Sequence, residues 1–194
     1  LMERFRDKKW DIHYVGSQTG IEYDLVGNLS IPYHAIATGK LRRYFSWQNF
    51  IDPLFILLGF FQSLLICLRV RPDVVFSKGG FVTVPVVIAA WVCRIPVICH
   101  ESDTTPGLAN KLSTPFCRYV CVTFPQTAKF LPPGKVVVTG SPVRDAITRS
   151  DPDLGADYYP AISGKPRLLV FGGSLGAGPV NQQVELAVPE LVKN

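Results

Sequence analysis

The chain is short of charge, and of anything that would tie it together covalently or through a metal. Only 18% of its 194 residues are Asp, Glu, Lys or Arg, against an apolar fraction of 47%. That balance excludes a self-repelling disordered chain and allows a sizeable core. The five cysteines, Cys67, Cys93, Cys99, Cys117 and Cys121, are odd in number and lie mostly in apolar runs without C-x-x-C spacing. This argues against a disulfide framework or a zinc site and for a reducing, cytosolic compartment. There is no repeat of fixed period, no signal-peptide pattern, no G-x-x-x-x-G-K-[ST] and no clean G-x-G-x-x-G. The net charge of +5 is moderate and suits phosphates, an anionic membrane surface or no particular partner. No nucleic acid, metal or cofactor is expected.

What is present is a beat of strand, turn and helix, the pattern of an α/β domain with a parallel sheet. Strands are expected over Trp10–Val15, closed by Gly16, Ser17 and Gly20, and over Ile31–Ala37, Pro72–Ser77, Pro96–Cys99, Tyr119–Thr123 and Lys135–Thr139. Helices are expected over Ile21–Asn28, Leu54–Val70, Pro85–Val92, Leu108–Pro115 and Gln126–Leu131. Asp52-Pro53 reads as an N-cap with Pro at the first helical position. The chain opens on Leu1 in mid-pattern, so a first strand and its glycine-rich turn are expected upstream. Residues 1–149 form one domain in this reading and 150–165, rich in Asp, Pro, Gly and Ser, a linker. A second unit then starts at 166–194 with a strand Arg167–Phe171, a glycine-rich turn and a helix Val180–Val192.

Candidate chemistry collects where strands should end. The run IPVICHESDTTPGLAN, Ile95 to Asn110, changes from apolar to polar at His100, Glu101, Ser102 and Asp103, and ligands of open α/β sheets gather beyond such ends. Glu101 could act as acid or base or bind hydroxyls, while Asp103 fits a helix cap and a ligand equally well. Lys78, Gly79 and Gly80, followed by Phe81, allow close approach of backbone to a phosphate. Arg144 stands where it would meet a phosphate or ribose, with an ordinary surface arginine as the alternative. Gly173 and Ser174 sit in a turn whose amides suit a diphosphate at a helix N-terminus, with a plain packing turn as the alternative.

From Leu54 to Val70 the only charge is Arg69, too few for a helix with one wet face. Either it is sandwiched in the core, or it lies on a membrane surface. In the second case Lys40, Arg42, Arg43 and Trp47 would form the basic, aromatic rim, with Leu57 and Phe60 on the apolar face. A span is less favoured, because Gln62-Ser63 interrupts a run that is already short.

The segments FSKGGFVTVPVV, ICHESDTTPGLANKL, TGSPVR and VFGGSLGAGPVNQ, in this order, resemble the MurG family along essentially the whole chain. These transferases move N-acetylglucosamine from UDP-N-acetylglucosamine to undecaprenyl-pyrophosphoryl-N-acetylmuramoyl-pentapeptide, lipid I, giving lipid II for peptidoglycan. The resemblance implies a GT-B fold: a Rossmann-like acceptor domain and the beginning of a second such domain that binds the nucleotide sugar. It implies an inverting, metal-free transfer at the cytoplasmic face of the plasma membrane, on an anionic inner leaflet. It carries donor contacts over to Arg144, Gly173, Ser174, Asn181 and Asp103, and acceptor or diphosphate contacts to Lys78, Gly79, Gly80, Phe81 and Glu101. The family's catalytic His would lie upstream of residue 1, so His13, His34 and His100 take no such role. Asp103 stands where the family has a carboxamide, and Ser102 also departs from its HEQN-like spelling. Two other readings are a non-catalytic, membrane-bound half of a split transferase and a dinucleotide oxidoreductase domain, the latter disfavoured by the spelling of the glycine turn. An upstream glycine-rich loop with His and a downstream second domain would decide for the first reading.

Overall fold

The computed structural model describes residues 10–18, 21–39, 48–143, 168–172 and 177–192. Lys40, Arg42, Arg43, Trp47, Arg144, the 150–165 segment, Gly173 and Ser174 lie outside them. The chain divides into two compact units, Leu1–Arg144 and Asp145–Asn194.

The first unit is a parallel α/β structure. Its elements are β1 Tyr14–Ser17, α1 Ile21–Gly27, β2 Tyr33–Ile36, α2 Gln48–Val70, β3 Val75–Ser77, α3 Thr83–Val92, β4 Val97–Glu101, α4 Leu108–Ser113, β5 Tyr119–Val122 and β6 Val136–Val138. Short 3-10 turns follow α4 and β5, at Thr114–Phe116 and Pro125–Phe130. β3 to β6 pair in sequence order as a four-stranded parallel sheet, while β1 and β2 form a separate parallel pair. The order 3-2-1-4-5-6 of doubly wound sheets has a strand between those two ladders. The core gathers around Val97 and Cys99 of β4 with Val120 and Val122 of β5, against Val87, Ala89 and Ala90 of α3 and Cys67 of α2. All five cysteines are free, and the buried Cys99 and Cys117 thiols are 2.9 Å apart.

Several boundaries differ from the sequence expectation for physical reasons. β1 starts at Tyr14, four residues later than expected, and runs through Gly16 and Ser17, which were expected to close it. Gly16 pairs with Ala35, and its lack of a Cβ leaves room for Tyr33, whose hydroxyl donates to the Ser17 carbonyl at 2.6 Å. β4 continues two residues beyond Cys99, because His100 and Glu101 pair with Cys121 and Val122. α2 begins at Gln48, so Asp52 is not its N-cap and Pro53 lies inside it. The extended run expected at Arg167–Phe171 is not a strand over its described residues: Leu168–Phe171 are exposed and no described strand pairs with them. Beyond it, α5 Gly178–Leu191 forms close to where it was expected.

α2 is neither sandwiched nor free. Its inner face is made of Gly59, Ser63 and Cys67, one turn apart, with Phe60 and Leu64 packed against the core. A Cβ at Gly59 would collide with the Ala37 carbonyl, and the Ala37 amide donates to Gln62 Oε1 at 2.6 Å. The outer face carries Leu54, Leu57, Phe61, Leu65 and Leu68, spaced by three and four residues and 47–66% exposed. Phe60, expected on that outer face, is instead part of the packed side. The stretch Asp52–Val70 is long and apolar enough to cross a membrane, but one side of it is committed to protein.

Candidate functional site

The carboxyl ends of β3 and β4 and the Gly140 segment after β6 meet through side chains. Lys78, just after β3, donates to His100 Nδ1 at 3.0 Å and to Ser102 Oγ at 2.6 Å. An ammonium has only protons to offer, so Nδ1 accepts and Nε2 carries the ring proton. Nε2 then donates to the Gly140 carbonyl at 2.9 Å. His100, 3% exposed, is thus a strut joining three strand ends, and both ring nitrogens are engaged. The Lys78 head, on an exposed residue, keeps one N–H for a ligand.

Between β3 and α3 the chain turns on Gly79 and Gly80, at φ of +92° and +93°, where side chains are strained. Ser77 Oγ accepts from the Gly79 amide and donates to Thr83 Oγ1, which in turn donates to the Gly79 carbonyl at 2.8 Å. A Cβ on Gly79 would come within 3.1 Å of the Asn110 carboxamide, so the turn lies tight against α4. Phe81 follows it, exposed.

Glu101 is held differently from the expected acid or base. It is 5% exposed, and its Oε1 accepts from the Asp103 amide at 2.9 Å. Its Oε2 accepts from the Gly107 amide at 2.9 Å and Asn110 Nδ2 at 2.8 Å. Burial alone would raise its pKa, but the amides of Asp103, Gly107 and Ser102 and the Asn110 carboxamide outweigh it and hold the carboxyl below its usual range. With both oxygens accepting from N–H groups, Glu101 clamps the loop 102–107 from within. The cap reading of Asp103 is corrected: the N-cap of α4 is Gly107 and no side chain caps it, while the Gly107 amide itself donates to Glu101 Oε2. Asp103, Thr104 and Thr105 are exposed, and the Asp103 carboxylate has no partner among the described residues.

The structure therefore brings together Lys78, Gly79, Gly80, His100, Glu101, Ser102 and Asp103, and adds Asn110 and Thr127, which sequence reasoning passed over. Asn110 is buried, its Nδ2 bonded to Glu101 and its Oδ1 unpaired among described atoms. A buried carboxamide two residues into a helix that follows a polar strand end was the available signal. Asn181 lies in the second unit near the start of α5, its amide bonded to the Ala177 carbonyl and its side chain exposed. Among the described residues no group of three or more His, Cys, Asp or Glu is arranged to hold a metal.

Residues 1–122 match the glycosyltransferase family 28 N-terminal domain. The UDP-N-acetylglucosamine–N-acetylmuramyl-(pentapeptide) pyrophosphoryl-undecaprenol N-acetylglucosamine transferase of Legionella pneumophila (strain Lens) is 47% identical over 192 residues, 98% of this chain and 53% of that protein. The enzyme of the same name from Lachnospira eligens is 47% identical over 194 residues, 100% of this chain and 55% of its own length. The chain thus spans about half the length of these relatives. Among solved structures, Acinetobacter baumannii MurG superposes with a TM-score of 0.59 at 25% identity, over 75% of this chain and 41% of that one. A UDP-GlcNAc 2-epimerase from Methanocaldococcus jannaschii reaches a TM-score of 0.51 at 14% identity, over 69% and 39% of the two chains, a likeness of fold alone.

Proposed function

The chain belongs to glycosyltransferase family 28, and on that premise we propose that its protein transfers N-acetylglucosamine from UDP-N-acetylglucosamine to lipid I, forming lipid II. The observation that carries this is the alignment at 47% identity over 98–100% of the chain with transferases of that name. In this reading residues 1–149 are the acceptor-side domain, 150–165 a linker and 166–194 the start of the donor domain.

The site geometry suits the division of labour. Lys78 and the Gly79-Gly80 turn offer a fixed cation and close backbone approach to the acceptor's diphosphate. Asp103, presented on the clamped loop, reaches hydroxyls of the donor sugar. Arg144, Gly173, Ser174 and Asn181 take the UDP. His100, both of whose ring nitrogens are engaged, is not the general base that deprotonates the muramoyl hydroxyl. Amides at the glycine turn would stabilise the departing diphosphate. The protein works as a peripheral enzyme on the anionic cytoplasmic leaflet, with the outer stripe of α2 in the lipid and Lys40, Arg42, Arg43 and Trp47 at its rim.

The test is a radiolabelled transfer assay on the full-length protein with UDP-N-acetylglucosamine and a lipid I analogue, where absence of turnover would sink the reading. In the same protein Arg144→Ala should weaken UDP binding by about 1.5–3 kcal/mol, the worth of a charge-assisted contact. Unchanged affinity by titration calorimetry would remove Arg144 from the donor site.

A further inference from the structure

We infer that Thr127 is a positioning residue for donor-sugar recognition, acting through the loop that presents Asp103; this rests on the transferase reading above. Thr127 belongs to none of the strand-end motifs. It sits in the 3-10 turn Pro125–Phe130 after β5, 0% exposed. Its hydroxyl shares one proton between the Asp103 carbonyl at 3.0 Å and the Thr104 carbonyl at 3.3 Å. Among the described residues nothing else donates to those two carbonyls.

The consequence is geometric. Glu101 draws the Asp103 amide inward from one side, and Thr127 draws the next two carbonyls inward from another. With three successive backbone polar groups turned to the protein, the side chains of Asp103, Thr104 and Thr105 are left exposed beyond the strand ends. If Thr127 served only to fill space, valine would serve as well. Burying a hydroxyl is unfavourable unless it is bonded, and here its bonds go only to the loop. A loop fixed before the ligand arrives loses less entropy on binding, and one that samples other conformations binds with its affinity reduced by the fraction that is competent.

The experiment uses the full-length protein and compares wild type, Thr127→Val and Thr127→Ser in steady-state transfer with UDP-N-acetylglucosamine and a lipid I analogue, alongside thermal melting. Thr127→Val should raise KM for the nucleotide sugar about tenfold, the loss of one buried hydrogen bond, with KM for the acceptor unchanged. Thr127→Ser, which keeps the hydroxyl, should return the donor KM to within about twofold of wild type. Should the valine variant not fold, Thr127→Ala leaves a small void instead of a methyl against the carbonyls and carries the same expectation. A donor KM that stays at the wild-type value, or moves together with the acceptor KM, or is not rescued by serine, overturns the inference. A wild-type protein without turnover overturns the transferase reading itself.

Discussion

At the scale of single residues, Glu101 shows how a buried carboxylate at a strand end can hold the loop that follows it. Both its oxygens accept from N–H groups, so Glu101→Gln must turn an amide NH2 toward at least one donor. The expected cost is about 1–3 kcal/mol of stability, that of a buried polar group left unsatisfied, measured by denaturant unfolding of the full-length protein. The sign of its pH dependence follows from the lowered pKa. A carboxyl whose folded value lies below its unfolded value of about 4.3 contributes fully above that pH and loses the contribution as pH falls through the folded value. The stability gap between wild type and Glu101→Gln should therefore be constant near neutrality and shrink below about pH 4; a gap independent of pH down to acid unfolding would contradict the clamp. The sequence announces this position, because an apolar run that breaks into His, Glu, Ser and Asp marks a strand end. It does not announce the role, because the partners of these side chains lie up to 40 residues away, as His100 and Gly140 do, and no local pattern encodes a tertiary contact.

At the scale of elements, α2 carries two faces that composition alone could not separate. Gly59, Ser63 and Cys67 are small or polar, yet they form the docked side, while the larger Leu57 and Phe61 are turned out. Small residues let the helix approach the Ala37 backbone, so the bulkiest apolar groups are the ones left over. The pair Leu57→Asp with Phe61→Asp should abolish co-sedimentation of the full-length protein with anionic vesicles at little cost in melting temperature, since each charge would enter at apolar depth. Phe60→Asp should instead unfold the protein, its ring being packed against the core. Retained vesicle binding by the double variant would show that the stripe meets something other than lipid. The start of α2 was misread for a related reason: Asp-Pro is a strong local cap signal, but a longer helical run overrode it, and Pro53 is accommodated within that run.

At the scale of the whole molecule, most of the alternation of strands and helices is legible over the described residues of the first unit, because continuous apolar runs bounded by Gly and Pro leave little choice, although the helix expected at Gln126–Leu131 is a 3-10 turn. The division into two ladders is not legible, since pairing depends on which strands stand side by side. The β1–β2 pair has one ladder where the β3–β6 sheet has three, and a lone two-stranded sheet is marginal in water. In residues 1–194 taken alone, hydrogen exchange should therefore find the β1 and β2 amides opening well before those of β4 and β5; equal protection would contradict the division into two ladders. The loop 102–107 has a consequence of another kind. It is gripped by its own amides and carbonyls, through Glu101 and Thr127, with Asn110 holding Glu101 in place, and its side chains from Asp103 to Thr105 take no part in the grip. Those positions can be exchanged while their scaffold stays still, so a new sugar preference is reachable by single substitutions there, whereas a change at an anchor must keep its hydrogen bonds.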